Sequence, residues 1–266
     1  CFMSLIEKGY VRLQDAVSTY IPGFTGWTSA DGKNKTTIRV EHLLTHTSGI
    51  PPYVTPTELR KQFGEKADAD SLIKYIATCP RDFEPGTDFQ YSCLNFITLQ
   101  RILESVTGMS LRDYAQKYVF QPLGMKHTDY LPCHLDEKSG LWVNDQNVVV
   151  TDEALFTSDD KKLKSASSKG YYIAPTEKQA ANPKICFTGQ VHDPLAREIN
   201  LGISGNAGLF TTAEDVAILC AALQNGGELN GVRILSPLTV KTMRTVPRDE
   251  SSLGRALGWD VVSPYA

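Results

Sequence analysis

The residues predict a chain dominated by helix, either a mostly helical domain or the helical part of a mixed one. Apolar residues recur at helical spacing in several stretches, capping residues and glycines bracket those stretches, and strand signals are sparse. Taken in order, Phe2, Leu5 and Ile6 lead to Gly9, a C-terminal stop. The run CLNFITLQRILESVTG places Leu94, Ile97, Ile102, Leu103 and Val106 near one face and ends at Gly108. SLRDYAQKYVF follows, with Ser110 as N-cap and Asp113 three residues on. TTAEDVAILCAALQNGG begins on Thr212 with Asp215 in the box position and stops at Gly226-Gly227. SPLTVKTM puts Ser236 at the N-cap and Pro237 in the first turn. The strand candidates are QNVVVT (146–151) and ALGWDVV (256–262). From Asp152 to Thr188 the chain is polar and rich in Lys and Ser, which predicts a long surface excursion.

With 266 residues, 41% of them apolar and 21% charged, the chain can build a real core. One large domain and a core with an inserted lobe both fit this length. A net charge of −3 supplies no field of one sign for nucleic acid or an anionic membrane. No apolar run approaches the ~20 residues of a membrane helix. The opening CFMSLIEKGY reads as the middle of a helix, so the N-terminus is expected to be truncated and no compartment is read from it. The six cysteines stand singly, with no Cys-x-x-Cys pair and no zinc spacing, and are expected as small apolar residues rather than a disulfide framework. No metal or organic cofactor is expected.

Several stretches offer chemistry. EHLLTHTSGI (41–50) crowds a histidine and three hydroxyls together, which fits an active site or a structural turn beside one. Ser-x-x-Lys occurs at Ser71–Lys74 and Ser158–Lys161, a spacing that sets an amine beside a hydroxyl on one helix turn. Ser71 lies on a surface helix by pattern and Ser158 in the polar excursion, so both read as chance matches. The five histidines leave a Ser-His-Asp triad open, while the lack of Gly-x-Ser-x-Gly argues against an α/β-hydrolase. His192-Asp193-Pro194 reads as a turn. In FEPGTDFQYSCLNF (83–96), a Pro85-Gly86 turn precedes Tyr91-Ser92-Cys93 at a helix start, where free N–H groups favour anions. The plainer reading makes Ser92 an N-cap and lets Tyr91 pack.

The collinear order of LIEKGYVRLQDAVSTYIPGF, TIRVEHLLTHTSGI, FEPGTDFQYSCLNF with ILESVTGMSLRDYAQKYVFQPLGM, GNAGLFTTAEDVAIL and NGGELNGVRILS resembles the serine β-lactamase and penicillin-binding-protein-like family. That group takes in class C β-lactamases, D-alanyl-D-alanine peptidases and family VIII esterases. The resemblance covers most of the chain and is weakest over 136–185. It implies an α+β fold of β-lactamase/transpeptidase type. On this reading residues 1–266 are a single-domain fragment, mostly the helical lobe, with most sheet strands outside it and a polar excursion at about 136–185.

The same resemblance implies a serine hydrolase acting through a covalent acyl-enzyme on a small ester, a D-amino-acid peptide or a β-lactam. The nucleophile of Ser-x-x-Lys would lie shortly before Cys1, and a Lys/His-Thr-Gly strand after LGWDVV, so the fragment alone is expected to be inactive. His46 and Ser48 become scaffold residues. Tyr91 aligns with the family's proton-shuttling tyrosine of Tyr-x-Asn. Cys93 departs from that motif, since a thiol is a weak substitute for both the acceptor and the donor of Asn. Asn206 stands where related sequences often carry His or another small residue, and reads as a pocket-lining or plain turn residue. The implied partner is a small-molecule or peptidoglycan-type substrate, and the implied location is periplasmic or extracytoplasmic. A catalytically inactive relative serving as ligand sensor or peptidoglycan-binding module is the main alternative. A thiol enzyme built on Cys93 is another.

Overall fold

The computed structural model describes residues 1–144, 150–151, 176–246 and 254–261, and a helix starts in each stretch where one is expected. Helix α1 (Phe2–Glu7) buries Met3, Ser4 and Leu5, with Gly9 beyond it at φ +75°. A two-stranded ribbon joins β1 (Trp27–Thr28) to β2 (Lys35–Thr36). Helix α2 (Val40–Leu44) is capped by His42, whose Nδ1 accepts the Arg39 N–H at 3.1 Å. In α3 (Pro56–Phe63) Thr55 and Glu58 form a reciprocal capping box, and in α4 (Ala69–Thr78) the Asp68 carboxylate accepts the Ser71 N–H.

Helix α5 (Cys93–Thr107) is the long central element. It buries Leu94, Ile97, Leu99, Ile102 and Leu103, and the left-handed Gly108 (φ +67°) ends it. Helix α6 (Leu111–Ala115) starts as the sequence predicts, with Ser110 Oγ accepting the Asp113 N–H. The expected helix does not run on unchanged, however. It widens into a π turn at Gln116–Phe120 before α7 (Gln121–Leu123) closes on Gly124 at φ +72°.

Contacts group the chain into two units, Cys1–Thr128 with Thr211–Ala266, and Asp129–Phe210. In the second unit β3 (Asp129–Tyr130) pairs with a strand near its end, and β4 (Cys133–Asp136) pairs with β5 (Leu141–Asn144). Strand β6 (Val150–Thr151), β7 (Lys178–Gln179) and β8 (Asn182–Cys186) form a three-stranded sheet in the order β6-β8-β7. The described part of the polar stretch does run along the surface, with most of 176–184 exposed, but it is ordered as sheet. Gln179 explains how: its buried amide accepts from Trp142 N–H and donates to Trp142 carbonyl, a side chain standing in for a strand partner. Residues 146–149 and 152–175, including Ser158, lie outside the described residues. Asp193 caps α8 (Pro194–Glu198), so His192-Asp193-Pro194 opens a helix rather than a turn. Arg197 of α8 is buried with its guanidinium 4.1 Å from the Phe187 ring centroid and donates to the Val191 and His192 carbonyls. Strand β9 (Leu209–Phe210) closes the unit against β3.

The chain then returns to the first unit. Thr212 caps α9 (Ala213–Gln224), and Asp215 turns inward to accept the His127 N–H and the Thr128 hydroxyl. The hairpin β10 (Glu228–Leu229) to β11 (Val232–Arg233) precedes α10 (Pro237–Met243), capped by Ser236. The strand expected over 256–262 is a hairpin instead. Gly258 at φ +80° turns the chain so that β12 (Arg255–Ala256) pairs with β13 (Trp259–Asp260). Among the described residues none of the six cysteines forms a disulfide; Cys79, Cys133 and Cys186 are buried as expected, whereas Cys1 and Cys220 are exposed. No helix among the described residues is long and apolar enough to cross a membrane.

The turn after α2 is held by a glycine. Gly49 has φ +71°, its carbonyl accepts the Asp82 N–H at 2.7 Å, and a Cβ there would overlap the Phe83 carbonyl oxygen. Gly49→Ala should therefore destabilise the full-length protein by about 2–4 kcal/mol, combining left-handed strain with a backbone clash. Urea denaturation of both proteins measures this, and a change below about 0.5 kcal/mol would show that the turn does not need a glycine.

Candidate active site

The segment from Asp82 to Cys93 carries several backbone N–H groups that no helix or sheet pairs. The turn His46–Pro52 supplies their acceptors. Gly86 N–H donates to Thr47 carbonyl at 2.8 Å, Gln90 N–H to His46 carbonyl at 3.0 Å and Cys93 N–H to Pro52 carbonyl at 2.9 Å. Ser92 N–H donates to His46 Nδ1 at 3.1 Å, and Ser92 Oγ donates to Pro51 carbonyl at 2.7 Å. Ser92 does occupy the N-cap position of α5, but its hydroxyl ties the loop to the turn instead of capping the helix.

The crowded residues of the turn are buried by the same arrangement. His46, Thr47 and Ser48 are each 3% exposed or less. Ser48 Oγ donates to Asn95 Oδ1 at 2.6 Å, and Asn95 Nδ2 lies 3.2 Å from His46 Nδ1. A serine, an asparagine and a histidine are thus linked, but with no solvent access, so they satisfy one another and attack nothing. Burial holds the His46 pKa down to about 3, with the nearby charge of Arg255 adding to the effect. The ring is neutral at ordinary pH, and Nδ1 as acceptor places its proton on Nε2.

Tyr91 lies directly against this ring. The His46 and Tyr91 centroids are 4.5 Å apart with planes tilted by 32°, and Phe96 flanks His46 at 5.1 Å. Tyr91 is nevertheless 50% exposed, so it is supported from beneath and open above. Cys93, half-buried, is the first residue of α5. These two predicted site residues come together at the N-terminus of a long helix. Asn206 belongs to the other unit. There it accepts from Ser204 Oγ at 2.6 Å, and Ser204 Oγ in turn accepts from Asn200 Nδ2 at 2.7 Å. Ser71 of the first Ser-x-x-Lys match donates its hydroxyl to Asp68 Oδ1, a capping role, while Lys74 is exposed.

Two residues near Tyr91 escaped the sequence reading. Asn95 could have been found as the amide on the buried face of α5. Arg255 gives no local signal; its guanidinium stands 5.3 Å from the Tyr91 centroid and 5.7 Å from that of Phe89. A cavity of about 680 Å³ lies elsewhere in this unit, lined by Cys220, Val240, Arg244 and Trp259, and neither Tyr91 nor Cys93 borders it.

The beta-lactamase family model matches residues 1–264. The chain belongs to the beta-lactamase family. Among its curated relatives is a protein of Escherichia coli (strain K12) assigned by name as a D-alanyl-D-alanine carboxypeptidase, 29% identical over 97% of this chain and 54% of that protein. Another, from Bacillus subtilis (strain 168), is named N-acetylmuramyl-L-alanine amidase and is 27% identical over 96% of this chain and 53% of its own length. The beta-lactamase-family chain thus spans about half the length of the curated relatives it matches. Its fold is similar to that of EstCE1, a hydrolase with promiscuous acyltransferase activity (TM-score 0.61, 24% identity, 98% of this chain and 63% of that one). It is also similar to an octameric penicillin-binding protein homologue from Pyrococcus abyssi (TM-score 0.56, 20% identity, 96% of this chain and 49% of that one).

The His46 environment makes a linkage prediction for this family member. His46 is held neutral when folded but titrates near about 6.5 when unfolded, so the unfolded state binds more protons below that pH. Stability is then lost as pH falls from about 6.5 towards 3. Between pH 7.5 and 4.5 the protein should lose about 2–3 kcal/mol more than its His46→Gln variant. Urea denaturation at the two pH values tests this, and equal losses would mean that His46 is not buried neutral.

Proposed function

We propose that the full-length protein is a serine hydrolase that forms a covalent acyl-serine ester, with Tyr91 as its proton carrier. The observation that carries this reading is Tyr91 itself, half exposed at the start of α5 while its backbone and ring are fixed from below by the His46 turn. Membership of the beta-lactamase family supports it. On this reading the serine and lysine of Ser-x-x-Lys are not among these 266 residues, and the 266 residues alone have no turnover.

In acylation the serine Oγ attacks the substrate carbonyl carbon and its proton passes to Tyr91 Oη. The tetrahedral intermediate collapses by breaking the bond to the leaving group, which takes that proton from Tyr91. Water then attacks the acyl-serine ester by the same steps in reverse and frees the acid product. Backbone N–H groups stabilise the oxyanion. The substrate class is a small ester, a D-amino-acid peptide or a β-lactam. The named activities of the E. coli and B. subtilis relatives favour cell-wall-type substrates and an extracytoplasmic site of action.

Tyr91→Phe keeps the ring on His46 and removes the hydroxyl. It should lower hydrolysis of a p-nitrophenyl ester by roughly 10²–10⁴ with an unchanged thermal melt, the usual worth of a positioned general base. Unchanged turnover would remove Tyr91 from the mechanism, whereas no turnover by the unaltered full-length protein would favour a ligand sensor.

Cys93 shapes substrate choice in the same proposal. With Asn at this position a substrate amide gains two directional hydrogen bonds, and with Cys at most a weak one. A net hydrogen bond of about 0.5–1.5 kcal/mol corresponds to roughly 2- to 10-fold in kcat/KM. Cys93→Asn should therefore raise kcat/KM on a β-lactam or D-alanyl peptide while activity on a short ester stays within about two-fold. An equal change on both, or a loss on the β-lactam, places Cys93 away from the substrate amide.

A further inference from the structure

An ordinary tyrosine titrates near about 10, so a tyrosine serving as a base near neutral pH needs positive charge beside it. The described residues offer one fixed cation at Tyr91. The Arg255 guanidinium stands over the ring at 5.3 Å, and the same group reaches Phe89. His46, the other titratable group against the ring, is neutral over the working range because of its burial. On Tyr91's own segment, Asp88 turns back to accept the Phe89 N–H at 2.7 Å.

Arg255 is placed, not loose. It sits directly across the hairpin from Asp260, with the two side chains 3.5 Å apart and each mostly covered. The hairpin is fastened at its turn, where Gly258 N–H donates to Leu44 carbonyl at 3.0 Å and Ala256 and Leu257 are buried. Leu44 ends α2, and the turn carrying His46 begins immediately after it. The cation and the imidazole are therefore both hung from the same short helix. The ion pair is loosely closed: among the described residues buried Arg255 Nε and Asp260 Oδ1 have no hydrogen-bond partner. A guanidinium whose counter-ion binds it weakly leaves more of its field for the aromatic face beside it.

We propose that Arg255 is a positioning residue for Tyr91, its charge orienting the ring and favouring the phenolate, with Asp260 setting how much of that charge is felt. This rests on the reading of Tyr91 as the proton carrier. Two substitutions separate charge from scaffold. Arg255→Met keeps length and apolar bulk but removes the charge, while Asp260→Asn keeps the shape of the partner and leaves the cation uncompensated.

The test is the pH profile of kcat/KM for a p-nitrophenyl ester, measured on full-length protein. Arg255→Met should lower kcat about 5- to 30-fold, with KM within about two-fold, and move the rise of activity with pH to higher pH. Arg255→Lys should recover most of the rate. Asp260→Asn should move the rise to lower pH. Shifts of opposite sign are not produced by loosening a hairpin, so a profile that moves the same way in both variants, or in neither, overturns the proposal. So does an Arg255→Lys variant as slow as Arg255→Met. The double variant Tyr91→Phe/Arg255→Met keeps the two readings apart. If Arg255 acts through Tyr91, the double variant is no slower than Tyr91→Phe. If Tyr91→Phe alone is fully active, the role of Tyr91 has failed. If Tyr91→Phe is slow and Arg255→Met slows it further by the same factor, only the role of Arg255 has failed.

Discussion

A backbone N–H taken from water without an acceptor costs more than most single contacts return, and in the segment leading to Tyr91 neither helix nor sheet supplies the acceptors. The acceptors are instead the carbonyls of His46, Thr47, Gly49 and Pro52 and the Nδ1 atom of His46, while the Pro51 carbonyl accepts the Ser92 hydroxyl. The histidine is the unusual member, because it accepts only while neutral. Protonation would turn Nδ1 into a donor facing the Ser92 N–H and the Asn95 amide, and would place a charge in an apolar pocket. Desolvation prevents this, so the aromatic packing around His46 and the hydrogen bonding through it are one constraint. Tyr91 inherits its position from that constraint.

Position and electrostatics reach Tyr91 by different routes through the chain. The backbone of the tyrosine is fixed by a turn about forty-five residues upstream, and the charge beside its ring comes from a hairpin 164 residues downstream (255 − 91). Both routes converge on α2, whose last carbonyl receives the hairpin and whose end releases the His46 turn. A helix of five residues is too short to be stable by itself. It is held by Val40, Leu43 and Leu44, all buried, and by packing against α5. Any movement of α5 relative to α2 would therefore displace the acceptor strip, the imidazole and the guanidinium together.

The parts that were legible in the sequence are those set by nearby residues. The caps at Ser110, Thr212 and Ser236, and the stop at Gly108, depend on groups within one helical turn and formed as expected. Tyr91 and Cys93 at a helix start were legible for the same reason, and the family resemblance gave them a role to test. What failed needed a distant partner. ALGWDVV read as a strand until Gly258 turned it onto Leu44, and the polar stretch before Thr188 read as loop because Gln179 finds its partner in Trp142, 37 residues away. Ser92 was an N-cap by pattern, but the Pro51 carbonyl competed for its hydroxyl and won. Arg255 carried no signal, since its meaning lies in a ring that the sequence does not place beside it.

Whether LLTHTSG is an active site or a structural turn is a choice the geometry does not require. His46 has φ +59°, a left-handed backbone that a non-glycine residue adopts only at some cost and only when its surroundings over-determine it. At His46 the surroundings do. The left-handed conformation lets the carbonyl accept from Gln90 while the side chain turns inward to Ser92 and Asn95. A glycine would take that backbone more easily but would leave Ser92 without its acceptor and Tyr91 without its supporting ring. The strain is therefore kept because one residue must present a carbonyl in one direction and a neutral aromatic acceptor in another. That is a scaffold function by its chemistry, and under the proposed role of Tyr91 an active-site function by its consequence, because the group it holds in place is the exposed phenol of Tyr91.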